Sequence, residues 1–275
     1  MTKKLLLLLA AVMFLMTSCD WFKDPVDLDQ ALCFKAIEPG ACVKLSGSKL
    51  LGSFDFKYSL DGEHWQTLEP DETTVTLSNV GDKVYIYGNN PDGFDIIDNI
   101  HFVMGDKKIA ASGNVMSLIN GAVVPTEIPT EYCFSELFKN CTSLTAAPRL
   151  GAQKLAAHCY EDMFYGCTNL TSAPQLPATK LEKYCYYEMF AGCTSLTTAP
   201  ELPATELAES CYSLMFWNCP NLHSIKVHFT QWMSNYGTSL WVFDVASDGT
   251  FSCPSSLEQK FGSSNIPDGW TVQTF

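Results

Sequence analysis

Residues 159–184 read CYEDMFYGCTNLTSAPQLPATKLEKY, and residues 185–210 read CYYEMFAGCTSLTTAPELPATELAES. Sixteen of the 26 positions are identical, without a gap, against one or two expected by chance. Working outward, cysteines recur at Cys133, Cys159, Cys185 and Cys211, and again at Cys141, Cys167, Cys193 and Cys219. Both series keep the same period. A repeat this short cannot bury its own apolar face, so it must stack on its neighbours, and a period in the twenties predicts a solenoid.

Spacing within the unit suggests its parts. Leu181, Cys185, Met189 and Cys193 recur every four residues, which predicts a short helix ending near Gly192. Cys193, Leu196, Ala199 and Leu202 then recur every three, the L-x-x-L-x-L character of a leucine-rich repeat strand. Pro200 and Pro203 cut that strand short. On this reading Cys141, Cys167, Cys193 and Cys219 begin successive strands and form a ladder about 4.8 Å apart. The other four lie on helical turns about 8–10 Å apart, beyond disulfide reach. Buried reduced thiols are expected in both series, with disulfides the alternative in an oxidising compartment and zinc third, since C-x7-C lacks ligand spacing. A Cys33–Cys42 bridge is compatible with that compartment.

The pattern MF-x-GC-T-[SN]-L-T-x-AP-x-LPAT-x-L resembles the BspA-like leucine-rich repeats of Bacteroides surface lipoproteins. The tail, with Gly249-Thr250-Phe251 and Ile266 to Val272, is similar to the C-terminal cap of such proteins, and Tyr58 to Trp65 to a hairpin of their N-terminal domain. Copy one departs from the pattern, with Gly151-Ala152 in place of Pro-Ala. The resemblance implies export, a cell-surface address and adhesion to host-surface proteins.

The chain start gives an address of its own. Lys3 and Lys4 precede an apolar run of 12 residues from Leu5 to Met16, too short to span a bilayer and suited to a signal peptide. The run ends Leu15-Met16-Thr17-Ser18-Cys19, which resembles a bacterial lipobox and marks Cys19 as the lipidated first residue of the mature chain. Acyl chains contribute about 0.8 kcal/mol per buried methylene, so several would anchor the protein to the envelope. From about Leu32 to Ala111, short alternating runs such as Phe54–Tyr58, Thr74–Leu77 and Lys83–Tyr87 predict an antiparallel sandwich of six to eight strands. The expected class is therefore α+β. It runs as a signal peptide (1–18), a tether (19–31), a β-sandwich-like domain (32–112), a leucine-rich repeat solenoid (113–229) and a C-terminal cap (230–275).

Function is bounded mostly by exclusion. Seventeen basic residues against 30 acidic ones give −13, unsuited to a nucleic-acid partner. No HExxH, G-x-S-x-G, P-loop or G-x-G-x-x-G occurs, so no enzyme, metal or cofactor is expected. The five histidines have no ligand spacing, and Asp92, Asp95 and Asp98 lack an EF-hand pattern and read as a solvated loop. Positions that vary over a constant framework stand out instead. Ala146, Ser172 and Thr198 form one column, and Arg149, Gln175 and Glu201 another. On stacked repeats such columns line a continuous surface, so Ser172, Thr198, Arg149, Gln175 and Glu201 are the candidate ligand-binding residues; drift at unselected positions would look the same. The expectation is an envelope-anchored, non-catalytic module binding a host or neighbouring-cell protein or glycan. The alternative is a glycan-binding accessory lipoprotein using Trp65, Tyr58 and Tyr87.

Overall fold

A computed structural model describes residues 26–49, 53–233 and 236–275. Cys19 and the leader lie outside the described residues.

Residues 32–112 fold as two facing antiparallel sheets. Five strands, β1 (Leu32–Ala36), β3 (Phe56–Ser59), β4 (Gln66–Thr67), β6 (Lys83–Gly88) and β8 (Ile109–Ser112), pair in the order β4-β3-β6-β1-β8. Three more, β2 (Ala41–Ser46), β5 (Thr74–Leu77) and β7 (His101–Met104), pair in the order β5-β2-β7. Alternation decides what is buried: Ala41, Val43 and Leu45 point inward from β2, and Val84 and Ile86 from β6. Phe34 of β1 meets Phe102 of β7 edge to face at 4.9 Å, joining the two sheets.

The repeats correct the expected class. The described residues contain no α-helix, only a 3-10 helix at Val115–Leu118, and two short strands are the only others within 113–229. The described residues are nearly all sheet and turn, not α+β, and among them no leucine-rich repeat solenoid is formed. The reason lies in the backbone where helices were expected. Tyr132, Glu136 and Asn140 all have φ near +60°, as do His158, Asp162 and Gly166, then Tyr184, Glu188 and Gly192. A left-handed residue at every fourth position is incompatible with a right-handed helix.

The hydrogen bonds show what replaces it. The N–H groups of Tyr132, Phe134, Glu136, Phe138 and Asn140 donate to carbonyls 25 residues ahead, those of Ala157, Cys159, Glu161, Met163 and Tyr165, at 2.7–3.1 Å. The intervening Ser135, Lys139 and Cys141 close tight turns three residues back, at 2.9–3.0 Å. Half the amides thus serve the turn and half the next coil. The pattern continues through residues 210–218 onto 237–243. Gly192 is therefore no helix terminator; it occupies the left-handed position that Asn140 and Asn218 hold in their coils.

Proline explains the other half of each unit. Copies two and three carry Pro174, Pro177, Pro200 and Pro203, each without an N–H for a ladder. Only β9 (Glu201–Leu202) forms between the last two. Copy four has no proline over residues 221–229, and there β10 (Ser224–Val227) forms. With β11 (Thr250–Cys253) and β12 (Thr271–Thr274) it makes a parallel sheet in the order β12-β11-β10-β9.

Stacking places like on like in the core. Phe138, Phe164, Phe190 and Phe216 form a column with ring centroids 5.3–5.8 Å apart and planes within 5°. Phe134, Tyr160, Tyr186 and Tyr212 form a second, and Trp241 closes both. The first column begins in the sheets, where Phe102 stacks on Phe138 at 5.3 Å. Strand β8 likewise runs parallel to the first repeat through Ile109–Leu144, while Asn114 just beyond it pairs with Arg149. The two edges β7 and β8 thus act as a coil preceding the first, and one buried core runs from Leu32 to Trp270.

All eleven described cysteines are free. Cys33 and Cys42 lie on strands of different sheets. Both repeat series follow the coil stacking, so the expected 8–10 Å separation of the first series does not hold. The two series differ in another respect. The thiols of Cys141, Cys167, Cys193 and Cys219 donate to the carbonyls of Phe102, Phe138, Phe164 and Phe190 at 3.0–3.2 Å. In the first series the contacts are longer, Cys159 to Cys185 O at 4.0 Å and Cys211 to Gly237 O at 3.7 Å. Burial pushes the thiols of Cys141 and Cys219 up to about 12, and those of Cys167 and Cys193 well above the ordinary range.

Candidate functional site

The strand side carries the columns singled out from sequence. Ser172, Thr198 and Gln175 are exposed and make no side-chain hydrogen bond among the described residues. Arg149 is committed: its guanidinium donates to the carbonyl of Asp29 and to Gln30 Oε1, tying the first repeat to the segment before β1. Glu201 is paired with Lys226 at 2.7 Å and His228 at 2.6 Å, and the hydrogen bond from Lys226 is first among the causes that lower its pKa. Phe275 completes this cluster, beneath Lys226 and 5.2 Å from the His228 ring. The five residues therefore do not converge. Three offer free polar groups, and two hold the structure together.

The aromatics of the alternative reading do not form a platform. Trp65 meets Tyr87 at 4.7 Å, but edge to face at 73°. Tyr58 pairs across β3 and β6 with Ile86, whereas Lys57 pairs with Tyr87, so Tyr58 and Tyr87 lie on opposite faces of the sheet. In the acidic loop, Asp95 Oδ1 accepts from the amides of Ile97 and Asp98, and Asp98 Oδ2 accepts from Asp95. Those carboxylates cap their own loop. No group of three His, Cys, Asp or Glu side chains placed to hold a metal occurs among the described residues.

The turn side carries a denser constellation that the sequence reading missed. Its members sit at or beside the left-handed positions, and only the backbone reveals that these face outward. Tyr132, His158 and Tyr184 stack in a column at 4.4 and 4.6 Å, with planes within 18° and 6°. Beside it, Lys139 bonds Glu136 at 2.5 Å and Asp162 at 2.9 Å, and His158 Nδ1 lies 2.5 Å from Glu161. Asp162 Oδ1 is buried without a hydrogen-bond partner. Burial raises the carboxyls of Glu161, Asp162 and Glu188 above their ordinary values, against the pull of their cationic or hydrogen-bonding neighbours. The recoverable signal was the sequence run of Tyr132, His158 and Tyr184 at the 26-residue period, each one residue before a framework cysteine.

No protein-family model, curated protein or solved structure matches this chain. No helix of the described residues is long and apolar enough to cross a membrane.

Proposed function

We propose that this protein is an envelope-anchored, non-catalytic binding module that engages a protein or glycan of another cell surface through the exposed columns of its stacked repeats. The observation that carries the reading is the register of the stack, in which side chains 26 residues apart occupy equivalent places on coils little more than 5 Å apart. A short unit repeated at that spacing presents evenly spaced side chains along one line, which suits an extended partner. The lipobox-like start at Cys19 and the resemblance of the repeat motif to surface lipoproteins support the address.

The test displays the whole protein against purified extracellular-matrix proteins and a glycan array. Ser172→Arg and Gln175→Arg are compared with the unsubstituted chain. Saturable binding that both substitutions weaken supports the reading. Binding that neither alters, or none to any matrix protein or glycan, overturns the assignment to the strand-side columns. Lipid labelling of the wild type and Cys19→Ala tests the anchor, and equal label in both removes it.

A further inference from the structure

The loop that joins β6 to β7 makes a groove with the turn side of the stack. Asp95 and Asn99 line one wall, Tyr132, Ser135 and Glu136 the other, and Glu161 of the next coil closes it. Tyr132 has His158 stacked on one face and, among the described residues, no ring on the other. Glu136 uses one carboxylate oxygen on Lys139, and Glu161 one on His158. The second oxygen of each, the Asn99 amide and the Ser135 hydroxyl make no hydrogen bond among the described residues. The groove thus combines a half-buried ring stacked by another ring on one side only, two one-sided carboxylates and two unpaired neutral polar groups.

Charge selects the occupant. Among the described residues, the groove and its rim hold the carboxyls of Asp95, Glu136, Glu161 and Asp162 against the ammonium of Lys139 and the imidazole of His158, on a chain of net charge −13. An anion or a purely apolar segment would leave that excess uncompensated. A planar cation suits both features at once: it lies over a tyrosine ring, and its fork of N–H donors reaches carboxylates at the ring's edge. We propose that this groove is a binding subsite for an arginine side chain carried on an extended polypeptide partner. The proposal rests on the reading of the stack as a binding surface and narrows the partner to a protein with an exposed basic segment.

The probe is an end-blocked peptide of alternating glycine and arginine, titrated into the full-length protein. The same peptide with citrulline in place of arginine keeps the shape and removes the charge. The arginine peptide should bind at least about tenfold more tightly, as expected for a charge-assisted, ring-stacked contact. Tyr132→Phe keeps the ring and should keep the difference. Tyr132→Leu, and Glu136→Gln with Glu161→Gln together, should each reduce the arginine peptide to the citrulline level. Nuclear magnetic resonance adds a local readout, since the His158 ring signals should shift on binding and stay still in Tyr132→Leu.

Asp268→Asn, an exposed acid at the far end, is the control for attraction to net charge alone. Equal affinity for the two peptides overturns the proposal, as does a loss in Asp268→Asn matching that in Tyr132→Leu. If the peptide fails while matrix binding remains sensitive to Ser172→Arg and Gln175→Arg, this subsite falls and the broader reading stands. If both fail, both fall.

Discussion

The two facing sheets of residues 32–112 and the coils of residues 132–244 bury the same kinds of side chain by different means. In the sheets, an element's own geometry sets its period: side chains alternate, and β2 runs buried, half-buried, buried along its length. In the coils the period belongs to the neighbour. Every second amide is spent on the coil ahead, and the positive φ values that allow this would be unfavourable in an isolated segment. A local pattern can therefore be read for the sheets with no knowledge of what lies across from them, whereas the coils have no conformation of their own to read.

The largest expected effect tests whether the two regions are one thermodynamic unit. Leu196 is fully buried between coils, and Leu196→Asp should cost about 3–5 kcal/mol by burying an unpaired charge. Because Phe102 and Phe138 stack across the junction, thermal unfolding followed by probes in the sheets should shift as well. A substitution that melts the coils and leaves the sheets at their original transition would divide the molecule.

The next effect has a sign that separates coil from helix. Gly192 sits at φ +71° with ordinary van der Waals room for a Cβ, its nearest contacts being Gly166 atoms at 3.6 Å. Gly192→Ala should destabilise by about 1–2 kcal/mol, the cost of an L-residue in the left-handed region. Asn218→Gly, at the equivalent position, should be neutral or stabilising. In a helix both signs would reverse, since glycine there costs about 1 kcal/mol relative to alanine. Denaturant melts of the two variants decide it.

A smaller effect distinguishes the cysteine series. Cys193 donates its thiol to Phe164 O at 3.1 Å, whereas Cys185 donates to no carbonyl among the described residues. Cys193→Ala should therefore cost about 1 kcal/mol more than Cys185→Ala. Both thiols should resist alkylation in the folded protein and react after denaturation without reductant. Oxidised repeat cysteines in protein taken from its native source would overturn this.

The smallest effect is in pH. The carboxyls of Glu161, Asp162 and Glu188 are raised in the folded state, so the native protein keeps those protons to higher pH than the unfolded chain does. Their penalty is present above the folded pKa, and stability should rise as pH falls from neutrality through it. Below the ordinary carboxylate range the lowered groups, Asp61, Asp71, Asp106 and Glu201, take protons from a paired state and reverse the trend. Glu188→Gln should flatten the upper limb, read as melting temperature against pH. An unchanged slope would mean that Glu188 is fully hydrated.

The same contrast explains what was legible. Phe54–Tyr58, Thr74–Leu77 and Lys83–Tyr87 overlap β3, β5 and β6 because alternation and strand geometry share a period of two. The 26-residue interval is equally plain, being written in identical residues. The helical half was misread because Leu181, Cys185, Met189 and Cys193 repeat at four, close enough to 3.6 over so short a run. The buried residues Cys185, Tyr186, Met189, Phe190 and Cys193, adjacent pairs at a spacing of four, would also fall within an arc of about 140° on a helix, so only the left-handed residues between them tell the coil from a helical face. At the candidate site, the exposed columns at Ser172 and Thr198 were visible as variation. The committed roles of Arg149 and Glu201 were not, because Asp29 and Lys226 lie far away in the chain.

The edges of β7 and β8 have a consequence for how such a protein can change its length. They present the first coil with the contacts that each coil presents to the next, down to a phenylalanine carbonyl awaiting a thiol, Phe102 for Cys141 as Phe138 for Cys167. Every junction is thus interchangeable with every other, and the two ends are specialised while the middle is not. Duplication or loss of 26 codons in frame would lengthen or shorten the rod by one rung, leaving both terminal pieces seated on surfaces they already fit. The length of the stack then becomes a quantity that recombination can adjust in fixed steps, without any new interface having to evolve.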